Sequence, residues 1–226
     1  MIRAVMFDLD GTLVDSAPEL TEGVNAIMKV VRLRPFTVEE ISRMVGKGAR
    51  VLFERVCEAR GIFPTEQTLS AMMSEYARAV REMNAPAKFY PGAIEGVRAL
   101  SEAGLKVALV TNKMRVMTED LIERSGLETT FDAVICGDDT AHPKPEGDML
   151  LLACRQLGVS LSEALMVGDS ANDALAARAA GVRAALVRTG YNEGTPIDEW
   201  AAAHGFDCVR DDVQSLCRDI LENRIR

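Results

Sequence analysis

The sequence predicts an α/β protein: a doubly wound parallel sheet carrying an inserted bundle of helices. Three observations predict it. Short apolar runs rich in Val, Ile, Leu and Ala recur along the chain, and segments of helical periodicity alternate with them. One long stretch near the N-terminus shows helical patterns with no strand-like run at all.

Taken in order, the strand-like runs are Ala4 to Phe7, Val107 to Val110, Ala133 to Cys136, Ala164 to Val167 and Ala184 to Val187. Each is short and almost continuously apolar, the pattern of a strand buried on both faces. The helical segments between them are Ala93 to Glu102, Met117 to Ser125, Asp148 to Leu157 and Ala171 to Ala180. Gly104, Gly126, Gly158 and Gly181 follow these closely, as glycine stops do. Strands alternating with helices build a Rossmann-like sheet covered on both faces, with its site beyond the C-terminal strand ends. Between Ser16 and about Pro86 the rhythm breaks. Pro18 to Val31, Ala49 to Ala59 and Glu66 to Met83 read as helices of a separate bundle. The expected division is therefore a core domain of residues 1–15 and 87–226 and an inserted helical domain of residues 16–86.

The 226 residues are enough to bury a sizeable core. Hydrophobic residues make up 48% and charged residues 27%, an ordinary globular mix. A formal net charge of -8 argues against a broad nucleic-acid or anionic-membrane surface. It leaves room for an anionic substrate, because a bound metal and one lysine reverse the field locally. The five cysteines, Cys57, Cys136, Cys154, Cys208 and Cys217, form no C-x-x-C and no even set, so they are read as reduced thiols. Met1 runs straight into a strand with no apolar signal core, and no apolar stretch is long enough to cross a bilayer. The expectation is a cytoplasmic monomer or homodimer.

The densest chemical signal is Asp8-Leu9-Asp10-Gly11-Thr12, directly after the first strand. Alternation along an extended chain points Asp8 and Asp10 to the same side. Two like charges that close demand a cation, a proton or a positive side chain. Such a pair suits chemistry in which Asp8 attacks an electrophile and Asp10 moves protons. An Asx-turn or capping pair is the competing structural reading. Gly11 allows close backbone approach to a ligand and Thr12 offers a hydroxyl.

Thr111 and Asn112 end the second strand, where a hydroxyl and a backbone amide can hold phosphoryl oxygens. Taken alone, Thr-Asn is only a turn signal. Lys144 lies between two prolines that fix its backbone, and can offset the negative charge of both carboxylates and substrate. Alone, it is a solvated loop lysine. Gly168-Asp169-Ser170-Ala171-Asn172-Asp173 brings two further carboxylates to another strand end. Asp169 with Asp8 supplies hard oxygen ligands suited to Mg2+. Capping of the next helix by Asp169 or Ser170 is compatible with that role.

With these residues in place, the chain resembles the haloacid dehalogenase-like superfamily of hydrolases over essentially its whole length. D-x-D-G-T followed by G-D-x-x-x-D is a specific combination. The resemblance implies a phosphoaspartyl intermediate on Asp8, which also binds Mg2+. It implies Asp10 as general acid/base, with its backbone carbonyl on the metal, and Asp169 as direct metal ligand. Asp173 then acts through water or by orienting the site, beside Ser170. Thr111 and Lys144 hold the phosphoryl group, and Lys144 steadies Asp8.

Within the family that the chain resembles, members cleaving carbon–halogen or carbon–phosphorus bonds generally lack aspartate at the position of Asp10, so the resemblance implies phosphate-ester hydrolysis or phosphoryl transfer. The insertion, together with Leu13-Val14-Asp15-Ser16, Gly46-Lys47-Gly48-Ala49-Arg50, Tyr90-Pro91-Gly92 and Thr111-Asn112-Lys113, is similar to the phosphoglycolate phosphatase-like branch and its helical cap. The resemblance implies substrate contacts from Gly11, Thr12, Asn112 and Lys113, and from Lys47 or Arg50 to the carboxylate of 2-phosphoglycolate. A solvated lysine at a helix start is the alternative for Lys47. Gly46-Lys47 is not a nucleotide P-loop, because the upstream glycine and the Ser/Thr after the lysine are missing. Gly147 stands where the family often has a second proline, which is expected to loosen the entry to the next helix. His142 is within reach of the site, with only a minor role implied by the resemblance; His204 is read as structural or exposed, and Trp200, Met72 and Met73 as packing.

The expected function is Mg2+-dependent hydrolysis of a small phosphorylated metabolite, with 2-phosphoglycolate foremost. The alternatives are a β-phosphoglucomutase-like sugar-phosphate mutase or a phosphatase of other sugar phosphates, nucleotides or pyrophosphate. A receiver-type phosphoacceptor module is the non-enzymatic alternative. Its strand order and lack of a large insertion disagree with this chain.

Overall fold

The first strand, β1 (Ala4–Phe7), is fully buried on both faces and sits in the middle of the sheet. The computed structural model describes residues 1–83 and 88–225. β1 pairs in parallel with β2 (Lys106–Val110) on one side and with β4 (Ala164–Gly168) on the other. With β3 (Ala133–Ile135), β5 (Arg183–Val187) and β6 (Val209–Arg210), the six strands lie in the order β3-β2-β1-β4-β5-β6, all parallel. The order reverses at β1, which makes its C-terminal end the crevice where such sheets bind ligands.

Alternation along the strands divides the core into two layers. Val5, Phe7 and Leu109 face α5 (Ala93–Glu102), α6 (Arg115–Arg124) and α10 (Val213–Leu221). Met6, Ala108 and Met166 face α7 (Asp148–Leu157) and α8 (Ala171–Ala180). Each fully buried Leu, Val or Phe contributes about 1.5–3 kcal/mol over exposure. The four expected glycine stops fall one or two residues beyond α5, α6, α7 and α8. Gly147 caps α7 without delaying it. A Cβ there would lie 2.8 Å from the Ala180 amide nitrogen, so glycine permits the close passage of α7 by the end of α8.

Between β1 and β2 lie α1 (Ala17–Val30), α2 (Val38–Ser42), α3 (Gly48–Glu58) and α4 (Glu66–Met83). They share an apolar cluster of their own, built on Val24, Met28, Ile41, Phe53 and Val56. α2 is too short to show periodicity, but a reciprocal capping box between Thr37 and Glu40 starts it. The chain leaves and re-enters the sheet side by side: the Asp15 amide donates to the Lys88 carbonyl (2.8 Å), and the Tyr90 amide to that of Leu13 (2.9 Å). The expected boundary at residues 86–87 lies outside the described residues.

After β5 come α9 (Ile197–His204), β6 and α10, for which the sequence reading offered no elements. Trp200 stacks between His204 and Phe206 and serves packing. Met72 and Met73 pack against the helical cluster, and all five cysteines are free. Among the described residues, no helix is long and apolar enough to cross a membrane.

Candidate active site

Asp8, Thr111 and Asp169 follow β1, β2 and β4 directly, so three adjacent strand ends deliver them to one edge. Lys144 arrives from the segment before α7. It is 2% exposed and its ammonium is fully engaged. Nζ donates to Asp8 Oδ1 (2.8 Å), to Asp173 Oδ1 (2.6 Å) and to the Val110 carbonyl (2.8 Å). Asn112 holds the backbone of Lys144 at both ends. Its Oδ1 accepts from the Lys144 amide (2.9 Å) and its Nδ2 donates to the Lys144 carbonyl (2.8 Å). The same Nδ2 donates to the Gly46 carbonyl (2.9 Å), tying the sheet edge to the segment before α3.

Asp10 has a different lysine. Lys113 Nζ donates to its Oδ1 (3.0 Å) and Oδ2 (3.3 Å). The sequence reading gives Lys113 as a substrate contact; the structure buries it against Asp10. Thr111 Oγ1 accepts from the Lys113 amide (3.2 Å), which fixes the turn. The two aspartates therefore each have their own cation, and both line one cavity with Thr111 and Asn112.

Asp169 is held from both sides. Thr12 Oγ1 donates to its Oδ1 (2.8 Å) and the Tyr191 amide to its Oδ2 (3.0 Å). Gly11, at φ +92°, passes so close that a Cβ would lie 2.5 Å from Asp169 Oδ2. Gly11 and Thr12, read from sequence as substrate contacts, are thus placed against Asp169, and Thr12 is fully buried. Asp173 accepts from Ser170 through the backbone amide (3.1 Å) and Oγ (2.7 Å), closing the capping box that starts α8.

Carboxylate oxygens of Asp8, Asp169 and Asp173 lie within 4.8 Å of one another. Burial pushes the Asp8 carboxyl up to about 7, with the Asp173 and Asp10 charges adding to it against Lys144. Burial, then the charges of Asp173 and Asp8, hold Asp169 well above the ordinary carboxylate range. Burial works against the Lys144 ammonium, yet Asp173 and Asp8 hold it above its usual range. One lysine is too little positive charge for three buried carboxylates. The hard oxygen set and this deficit fit a divalent cation such as Mg2+.

The helical side of the cavity is mostly apolar, with Leu20, Val45, Leu52 and Tyr76. Lys47 and Arg50 are not among the residues lining it. Lys47 pairs with Glu193 (3.2 Å), and Arg50 forms a two-pronged pair with Glu66 (2.6 and 2.7 Å). His142 faces Asp148 (2.9 Å) on the surface. Tyr191 and Tyr76 escaped the sequence reading. Tyr191 has no periodic context, and its hydroxyl donates to Asp15 Oδ1 and accepts from the Ala17 amide (both 2.9 Å) where α1 begins. Tyr76 shows only as one position of an amphipathic helix.

A model of the haloacid dehalogenase-like hydrolase family matches residues 2–181. Phosphoglycolate phosphatase 1 of Pseudomonas aeruginosa is 39% identical over 215 residues, covering 92% of this chain and 78% of that protein. The phosphoglycolate phosphatase of Agrobacterium fabrum is 36% identical over 221 residues, covering 97% of this chain and 93% of its own length. Among solved structures, a predicted phosphoglycolate phosphatase from Haemophilus somnus superposes with a TM-score of 0.87 at 29% identity, covering 99% of this chain and 98% of that one.

Proposed function

The chain belongs to the haloacid dehalogenase-like hydrolase family and is a phosphatase, and from that premise we propose that it hydrolyses small phosphomonoesters, 2-phosphoglycolate foremost, with Mg2+ as cofactor. One observation carries the mechanism. Asp8 and Asp10 open into the same cavity, each on a different lysine, so two neighbouring carboxylates meet one substrate from different surroundings and can take two tasks.

An Asp8 carboxylate oxygen attacks phosphorus, and the bond to the ester oxygen breaks. Asp10 gives its proton to the departing oxygen, which leaves as an alcohol. Asp10 then takes a proton from water as that water attacks the phosphoaspartyl phosphorus, releasing phosphate and restoring Asp8. Lys144 orients Asp8 and favours its ionised form against burial, and Thr111 offers a hydroxyl to a phosphoryl oxygen. Held by Asp8 and Asp169, Mg2+ would supply the positive charge that lets an anionic nucleophile and an anionic phosphate meet. Asp173 orients Lys144 and starts α8.

The helices of residues 16–86 are read as a cap that shields the cavity from water. The relatives named for phosphoglycolate phosphatase support that substrate. Reduced cysteines and acidic charge support a cytoplasmic enzyme. The test is phosphate release by purified protein with Mg2+ across a panel of phosphorylated metabolites, with 2-phosphoglycolate expected to be turned over best. No release from any member, or conversion of glucose 1-phosphate to glucose 6-phosphate without net release, overturns the reading.

A further inference from the structure

Tyr76 is the polar exception on the helical side of the cavity. It projects from α4, is 1% exposed and lines the space that Asp8, Asp10, Thr111 and Lys113 share. Its ring is locked. Phe53 meets it edge to face at 5.3 Å between centroids. Gly23 of α1 leaves room for it, since a Cβ at Gly23 would lie 2.8 Å from the ring edge. Its hydroxyl makes no hydrogen bond among the described residues. Burial, and then the Asp10 and Glu19 charges, hold the phenol far above its ordinary pKa. It is a neutral donor, and it lines the same cavity as Asp8 and Asp10.

Packing alone does not account for that oxygen. Phenylalanine fills the same space between Phe53 and Gly23 with no polar group to desolvate. The hydroxyl is not sealed off either: among the described residues only Ser16 Oγ is a fully buried side-chain polar atom without a partner, so the Tyr76 oxygen keeps access to the cavity it lines. The cations expected at this wall, Lys47 and Arg50, are engaged elsewhere. Leu20, Val45 and Leu52 offer no donor.

We infer that Tyr76 is a specificity-determining residue, its hydroxyl donating a hydrogen bond to an oxygen of the substrate's leaving group. This rests on the phosphatase reading above and deepens it. The substrate class it selects is a phosphomonoester whose departing alcohol carries a second oxygen acceptor, a carboxylate or hydroxyl, within a few bonds of the ester oxygen. Phosphoglycolate meets that description, and an aryl phosphate does not.

The test is Tyr76→Phe, which keeps the ring and removes only the donor. Steady-state constants are measured with Mg2+ on 2-phosphoglycolate and on phenyl phosphate. The selectivity, kcat/KM for the first over the second, is expected to fall roughly tenfold, the scale of one hydrogen bond to a carboxylate, and to fall through KM. The thermal midpoint is expected to hold or rise, since no protein partner is lost. An unchanged selectivity ratio overturns the inference, whether both substrates weaken together or neither does. If wild-type protein cleaves phenyl phosphate but ignores 2-phosphoglycolate, the proposed substrate fails separately. The same ratio is then read on the best oxygen-bearing member of the panel.

Discussion

Lys144 and Lys47, one beside the sheet edge and one at the start of α3, are products of two different regimes. Lys144, on the sheet edge, spends all three N–H groups on fixed acceptors and is almost wholly buried. Lys47, at the start of α3, has a side chain 36% exposed and shares Glu193 with Arg55. The sheet edge is a network in which Asp10, Asp169 and Asp173 are each held through both carboxylate oxygens. The helical wall is apolar, with its charges turned outward into exchangeable ion pairs. Reaction steps need the first kind of construction, because preorganised charge loses nothing to rearrangement as the barrier is crossed. Discrimination among small substrates is suited to the second, where a few side chains change without disturbing the network.

This contrast breaks most directly at the aspartates. Asp8→Asn is expected to lower kcat by roughly 10⁴-fold or more, and Asp10→Asn by about 10²–10⁴-fold. Phosphate release at saturating substrate and Mg2+ measures both. Undiminished turnover in either variant would remove its role.

A second large effect is expected in stability. Lys144→Met leaves Asp8 and Asp173 facing each other without their shared cation. Breaking a buried pair in this way costs about 3–5 kcal/mol, read by urea unfolding of metal-free protein at pH 8. A cost below about 1 kcal/mol would mean that the network tolerates its own charge.

The acid cluster also sets a pH signature. Asp8 binds its proton more tightly in the fold than unfolded, with its pKa moved from 3.8 to about 7. The folded state then holds more protons than the unfolded one, so this group's contribution falls as pH rises from about 4 to 7. Asp169 shifts in the same direction. Metal-free Asp8→Asn is expected to lose less thermal stability across that window than wild type. Mg2+ is expected to raise the melting temperature more at pH 8 than at pH 5, because its ligands must be ionised. An equal rise at both values would argue that these carboxylates are not the ligands.

The smallest effects belong to the helical wall. Arg50→Ala is expected to leave KM for 2-phosphoglycolate within about twofold and stability within about 1 kcal/mol, since exposed pairs contribute little. A large rise in KM would mean that Arg50 abandons Glu66 for the substrate, restoring the role the sequence suggested.

Legibility followed the same divide. β1 and the helices from α5 to α8 were readable because continuous apolar runs and glycine stops are local signals. Asp8, Asp169 and Lys144 were readable because a strand end or a proline frame announces them. Lys113 was placed near the site, but not on Asp10, since that pairing spans 103 residues. The bond from Thr12 to Asp169 spans 157, and no local pattern marks which of two nearby groups a hydroxyl will choose. Tyr76 was silent for another reason. An aromatic on the inner face of an amphipathic helix looks the same whether its hydroxyl is idle or in use. α10, by contrast, had a readable signal in its capping Asp212 and the spacing of Val213, Leu216, Cys217 and Ile220.

The paired crossing of the chain, Asp15 against Lys88, has a further consequence. An insertion of some seventy residues begins and ends within one hydrogen bond's reach. To the sheet it is equivalent to a tight turn, because the separation of its ends, rather than its length, is what β1 and β2 must accommodate. Strand register is therefore insulated from whatever the insertion contains. A scaffold joined in this way can exchange one lid for another, larger, smaller or differently lined, while the aspartates at its edge keep their positions.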